Sequence, residues 1–154
     1  FGHREPGLVG ATFENESVYA PVILDGAYCD YAAARLAYKL KQDKFFLISD
    51  AAFLGRKVSS FKWENFDAHL ENGFYRNEEG NLAGASISME EAVQNAYNHL
   101  NVTADEAIKM ATCRVAAAIN MENKLGKIKP GFPASFVTFN DNLSRIETLN
   151  YNSI

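Results

Sequence analysis

The sequence predicts an α/β protein built on a parallel sheet, and three observations carry that prediction. The first is the run Phe45-Phe46-Leu47-Ile48-Ser49, where four large apolar side chains follow one another without polar alternation, the pattern of a strand covered on both faces. The second is a strand, helix, strand order. Ser17 to Leu24 is rich in β-formers, Tyr31 to Lys41 carries Ala33, Leu36, Ala37 and Leu40 at helical spacing, and the Phe45 run follows. The third is that both strand segments run into an aspartate, at Asp25-Gly26 and at Asp50. Parallel neighbours joined by a crossover helix would set those two carboxylates on one rim of the sheet, where α/β enzymes place their chemistry.

The individual elements follow in chain order. Residues 1–16 carry turn formers beside charge in Gly2-His3-Arg4-Glu5-Pro6-Gly7 and read as a loop. Pro21 lies inside the first strand segment and belongs at a strand end or bulge, because it has no N–H to donate. In the helix from Tyr31 to Lys41 the apolar stripe should face the core, with Arg35, Lys39 and Lys41 lying away from it. At the end of the second strand Asp50 has two readings, a turn cap or a functional carboxylate.

Residues 53–81 alternate aromatics (Phe61, Trp63, Phe66, Phe74, Tyr75) with charges, and Asn72-Gly73 and Glu79-Gly80-Asn81 are turn signals. They predict β-hairpins in a long insertion whose aromatics form a small core of their own or stack on a sugar. Leu82-Ala83-Gly84-Ala85-Ser86 supplies small residues through which backbone can approach a ligand, or a plain turn. Ser88 with Glu91 and Thr103 with Glu106 have capping-box spacing and open helices to about Leu100 and Thr112. A third short helix covers Arg114 to Asn120. Gly126 to Gly131 is turn-rich, and Ala134 to Phe139 and Ile146 to Leu149 read as strands of a small separate sheet.

Composition narrows the classes of function. The 154 residues, 47% of them hydrophobic with eleven Phe and seven Tyr, suffice for a folded core and exclude disorder. The net charge of −4 comes with scattered Lys and Arg, which leaves no footprint for nucleic acid or an anionic membrane surface. No apolar run reaches the length of a membrane span, so a cytoplasmic setting is the expectation. Cys29 and Cys113 match no metal or redox spacing and read as two buried free thiols. Because the first residue is Phe1, the chain is expected to begin inside a longer gene product or after processing.

Seven motifs then stand in a recognisable order: Arg4-Glu5-Pro6-Gly7 with Gly10-Ala11, Asp25-Gly26, Ile48-Ser49-Asp50-Ala51, Leu82-Ala83-Gly84, Glu91 to Asn95, Lys109 to Thr112, and Leu125 to Gly131. In that order the chain resembles the C-terminal part of the N-acetylglucosamine-6-phosphate deacetylase family of the amidohydrolase superfamily. The resemblance implies the C-terminal portion of a (β/α)8 TIM barrel over residues 1–125, including the insertion at 53–81. It also implies the last strands of a small β-sandwich domain over residues 126–154. Asp50 matches that family's catalytic acid/base. Arg4 matches an arginine that reaches the substrate phosphate across a homodimer interface. Leu82, Ala83 and Gly84 match a substrate-contacting loop. Tyr28 stands where the family has a substrate-binding histidine; it can donate a hydrogen bond but has no cationic form. The implied partner is a phosphorylated amino sugar. The implied cofactor is a divalent metal, zinc or similar, whose ligands lie outside this chain, since His3, His69 and His99 share no ligand spacing and read as exposed or capping. Two alternatives fit parts of the pattern: a non-catalytic phosphosugar-binding or assembly module, and a phospho-acceptor domain with Asp50 as acceptor. The second leaves the insertion and the terminal strands unexplained.

Overall fold

A computed structural model describes residues 2–51, 58–64, 66–143 and 146–150. At its centre β1 (Ala20–Ile23) and β2 (Phe45–Ile48) pair in parallel, in register from Ala20 opposite Phe45 to Ile23 opposite Ile48. Pro21 is accommodated because the described residues place no strand on the other side of β1, so its missing N–H interrupts no ladder there. Phe45 and Leu47 are fully buried, while Phe46 and Ile48 are half-buried. Burial of a side chain of that size contributes about 1.5–3 kcal/mol.

Helix α2 (Tyr31–Lys41) makes the crossover, opened by the Asp30 carboxylate, which accepts from Ala32 N. Its inward face differs from the predicted stripe. Ala34, Ala37 and Lys41 are buried, whereas Leu36 and Leu40 are 60% and 59% exposed and Ala33 is exposed. The reason is a residue outside the stripe. Lys41 sends its ammonium to Thr12 O at 2.9 Å and Asn15 O at 2.6 Å, the carbonyls that end α1 (Gly7–Glu14), and a cation there complements the helix dipole. That helix is itself a correction, since residues 1–16 read as loop. Arg35 likewise does not face water: it donates to His99 O at 2.9 Å.

A 3-10 turn, Gln42–Lys44, leads into β2. The insertion forms an antiparallel sheet of β3 (Ser60–Trp63), β4 (Phe66–Glu71) and β5 (Phe74–Arg76), as the aromatic alternation predicts. Asn72 and Gly73 join β4 to β5 with φ of 51° and 87°, the geometry of a two-residue hairpin turn. Residues 53–57, where the predicted insertion begins, lie outside the described residues.

Helices α3 (Met89–His99), α4 (Ala104–Ala111) and α5 (Cys113–Ala118) cover β2. Ser88 and Glu91 form the full capping box. Thr103 forms only half of the second: it accepts from Glu106 N at 3.2 Å, but the Glu106 carboxylate turns to Arg114 and Lys109 instead. Arg114 is buried, at 2.6 Å from Glu106 and 3.3 Å from Asp43, and it donates to Phe45 O at 3.4 Å. One guanidinium thus ties α5 and α4 to the start of β2. Gly126 (φ 81°) passes so close to α5 that a Cβ there would fall 2.7 Å from the Cys113 Cα. Strands β6 (Ser135–Phe139) and β7 (Ile146–Asn150) form the predicted terminal two-stranded sheet. Leu143, between them, is buried in the main core, and its carbonyl accepts from Gln94 at 2.6 Å.

Burial pushes the Glu106 carboxyl up, but the hydrogen bond from Lys109 and the charges of Arg114 and Lys109 outweigh it and hold the group below the ordinary carboxylate value. A depressed folded value means that the unfolded chain takes up the proton first. The contribution is therefore fully present above about pH 4.5 and is lost as pH falls through the lower folded value. Arg114→Ala is expected to lower stability by about 3 kcal/mol, the low end of the cost of breaking a buried pair because Glu106 keeps some solvent. It should also flatten the acid limb of stability below pH 4.5, measured by denaturant unfolding across pH.

Candidate functional site

The site lies where the chain leaves the parallel strands. Leu24 O, just past β1, accepts from Asn95 Nδ2 at 2.8 Å, so α3 fixes the direction of the exit. Asp25 follows. Its Oδ1 accepts from Ala27 N at 2.9 Å and Tyr28 N at 2.8 Å, an Asx turn that folds residues 25–28 tightly. Its Oδ2 is buried and has no hydrogen-bond partner among the described residues. Gly26 is required by both backbone and space: φ is 81°, and a Cβ would sit 3.0 Å from the Tyr31 ring.

Asp50 leaves β2 two residues past Ile48, as Asp25 leaves β1 two residues past the paired Ile23. It is exposed, with φ of 43°, a region that Asp tolerates better than most residues. Its carbonyl accepts from Ala85 N at 3.1 Å, and Ala51 bridges Ala85 in parallel. The loop before Ala85 is held from the other side by the insertion. Leu82 bridges Arg76, Ala83 N donates to Tyr75 O at 2.9 Å, and the Ser86 hydroxyl donates to Gly73 O. Gly84 N reaches back across the site to the Tyr28 phenol at 2.8 Å.

Asp50, Tyr28 and the loop Leu82-Ala83-Gly84 are therefore brought together at one end of the strands. Within that loop Ala83 is buried against Ala68 and Tyr75, so it offers a ligand backbone rather than side chain. Arg4 stands apart, exposed before the N-terminal end of α1, with no hydrogen bond or ion pair to the described residues. The Asx turn at Asp25 and the clamp from Asn95 to Leu24 O were missed from sequence. The turn had a local signal in Asp followed by Gly, whereas the clamp joins residues 71 positions apart and had none.

The sequence model of the amidohydrolase family matches residues 29–153. The chain belongs to the amidohydrolase family. It is 32% identical over 149 residues to N-acetylglucosamine-6-phosphate deacetylase of Haemophilus influenzae, covering 95% of this chain and 39% of that protein. It is 34% identical over 140 residues to N-acetylgalactosamine-6-phosphate deacetylase of Shewanella sp., covering 90% of this chain and 35% of that one. The crystal structure of N-acetylglucosamine-6-phosphate deacetylase from Pasteurella multocida superposes with a TM-score of 0.86 at 31% identity, over 92% of this chain and 38% of that chain. The chain thus spans about two fifths of the length of these relatives.

Amidohydrolase deacetylases are generally metal-dependent, and the donors among the described residues do not make a metal centre by themselves. Among the described residues no group of three or more His, Cys, Asp and Glu side chains is placed to hold an ion. Asp50 offers a single carboxylate. His69 is exposed on β4, and His99, rather than standing in solvent, is half-buried and stacked on Tyr31 at 3.9 Å. The cysteines are free as expected, but half-buried rather than buried. Burial, with the charges of Asp30 and Asp25, pushes the Cys29 thiol up, which favours its protonated form. No helix among the described residues is long and apolar enough to cross a membrane. Gly26→Ala is expected to cost about 1–3 kcal/mol of stability, since it combines positive φ with contact against the Tyr31 ring; a shift in the denaturation midpoint measures it.

Proposed function

We propose that the protein containing this chain hydrolyses the N-acetyl group of N-acetylglucosamine 6-phosphate to glucosamine 6-phosphate and acetate. The observation that carries the reading is the placement of an exposed carboxylate, Asp50, beside the Tyr28 and Gly84 contact at the exit of the parallel strands. The amidohydrolase membership of the chain and the names of its relatives support the same reaction.

In this reading Asp50 carries the proton. Its carboxylate accepts a proton from the water that attacks the acetyl carbonyl and then delivers it to the amine nitrogen as the C–N bond breaks. Proton, nucleophile and leaving group are thereby balanced on one side chain. The phenol of Tyr28 and the backbone of Leu82, Ala83 and Gly84 bind the sugar. Arg4 reaches the phosphate across a homodimer interface, where a guanidinium fork matches phosphate oxygens and no hydrogen bond or ion pair to the described residues holds it elsewhere. A divalent ion, zinc or similar, is held by residues outside this chain. Residues 1–125 form the C-terminal part of a (β/α)8 barrel and 126–154 the last strands of a β-sandwich domain, and the protein works in the cytoplasm.

One residue favours a second reading. Tyr28 in place of histidine suits a phosphosugar-binding or assembly module without turnover, and calorimetry with the sugar phosphate at saturating metal, run beside an acetate assay, separates the two. Asp50→Asn in the full-length protein is expected to keep metal content and sugar binding while lowering kcat about 10²- to 10⁴-fold, as loss of a general acid/base does. The 154-residue chain alone is expected to release no acetate. Acetate release by that chain in the presence of chelator would overturn the assignment of the metal to residues outside it.

A further inference from the structure

We propose that Asp25 is a positioning residue. It acts through Tyr28, setting the phenol as a latch that fixes the Gly84 loop and turns a neutral hydrogen-bond donor toward the substrate. The inference rests on the function proposed above for its substrate, the amino-sugar phosphate, and on the geometry of this chain for everything else.

Three consecutive amides of the loop are each held by a different part of the fold. Ala83 N goes to Tyr75 O on β5 and Ala85 N goes to Asp50 O past β2, and both of these acceptors are backbone. Gly84 N, between them, goes to the phenolic oxygen of Tyr28, 56 residues away. Among the described residues that is the hydrogen bond joining the loop after β1 to the loop that borders Asp50. Its acceptor is a side chain, so its direction depends on how the backbone at Tyr28 is held.

Asp25 does the holding. One carboxylate oxygen accepts both Ala27 N and Tyr28 N, and the positive φ of Gly26 lets the chain fold back far enough for both bonds. Tyr28 then leaves the turn in a single direction, with the residue 36% exposed at the site. An oxygen that has accepted the Gly84 N–H retains its own hydrogen to donate. The acceptor it faces in the complex is an oxygen of the sugar.

The role assigned to Asp25 requires an acceptor oxygen and no charge. An asparagine amide oxygen supplies the same two bonds, so Asp25→Asn should restore what Asp25→Ala loses. The test is amide hydrogen exchange at Gly84 in the full-length protein, with steady-state kinetics on N-acetylglucosamine 6-phosphate. Exchange at Gly84 is expected to rise about tenfold in both Asp25→Ala and Tyr28→Phe, and to stay within about threefold of the starting protein in Asp25→Asn. KM should follow the same order, rising about tenfold with a smaller change in kcat and recovering in Asp25→Asn. Unchanged Gly84 exchange in Tyr28→Phe, which removes a single oxygen and spares the fold, would overturn the latch. So would Asp25→Asn behaving as badly as Asp25→Ala, since charge rather than an acceptor would then be the requirement. The expected exchange pattern in a protein that turns over no sugar phosphate would keep the latch and overturn the deacetylase reading.

Discussion

Parallel strands cannot be joined by a tight turn, so pairing Ala20–Ile23 with Phe45–Ile48 commits the intervening chain to a crossover, and both strands must then exit at the same end. Most of what matters in this chain follows from that pairing. It explains why α2 occupies residues 31–41 and why Asp25 and Asp50 emerge side by side. It also explains why the surrounding helices act on the ends of the strands. Arg114 bonds to Phe45 O where β2 begins, and Asn95 bonds to Leu24 O where β1 stops. A strand pair with its carbonyls claimed at both ends has little freedom to slide, and a shift of one residue would carry each aspartate to the opposite face.

The insertion is a second constraint of a different kind. Its small sheet does not extend the parallel pair; it braces the loop next to it, through Tyr75 O, the Arg76 bridge and Gly73 O. The loop Leu82-Ala83-Gly84 is consequently stapled from β5 on one flank and from Asp50 on the other, with Tyr28 in the middle. A loop fixed through its backbone presents a constant surface whatever its side chains are, which suits a segment as small in composition as this one.

Some features were legible from residues alone because their signals are local. The capping box at Ser88 and Glu91, the hairpin turn at Asn72-Gly73 and the helix from Tyr31 to Lys41 each depend on residues within a turn or two of one another, and each stands where the pattern put it. The second capping box had the same local signal and formed only half, because the buried Arg114 offered the Glu106 carboxylate a stronger partner than a backbone amide.

The chain by itself determined the order of its elements after α1, the apolar run of β2 and the two aspartates that close the parallel strands, since spacing and side-chain type suffice for these. Tertiary structure decided the rest. Whether residues 7–14 become a helix, and which face of α2 turns inward, depend on Lys41 meeting carbonyls 26 and 29 residues away. Whether Tyr28 is a solitary exposed ring or a latch on Gly84 depends on a bond spanning 56 residues. No window of sequence holds both ends of such contacts. Their existence rests on the packing that brings the ends together, and that packing is set by the one strand pair at the centre.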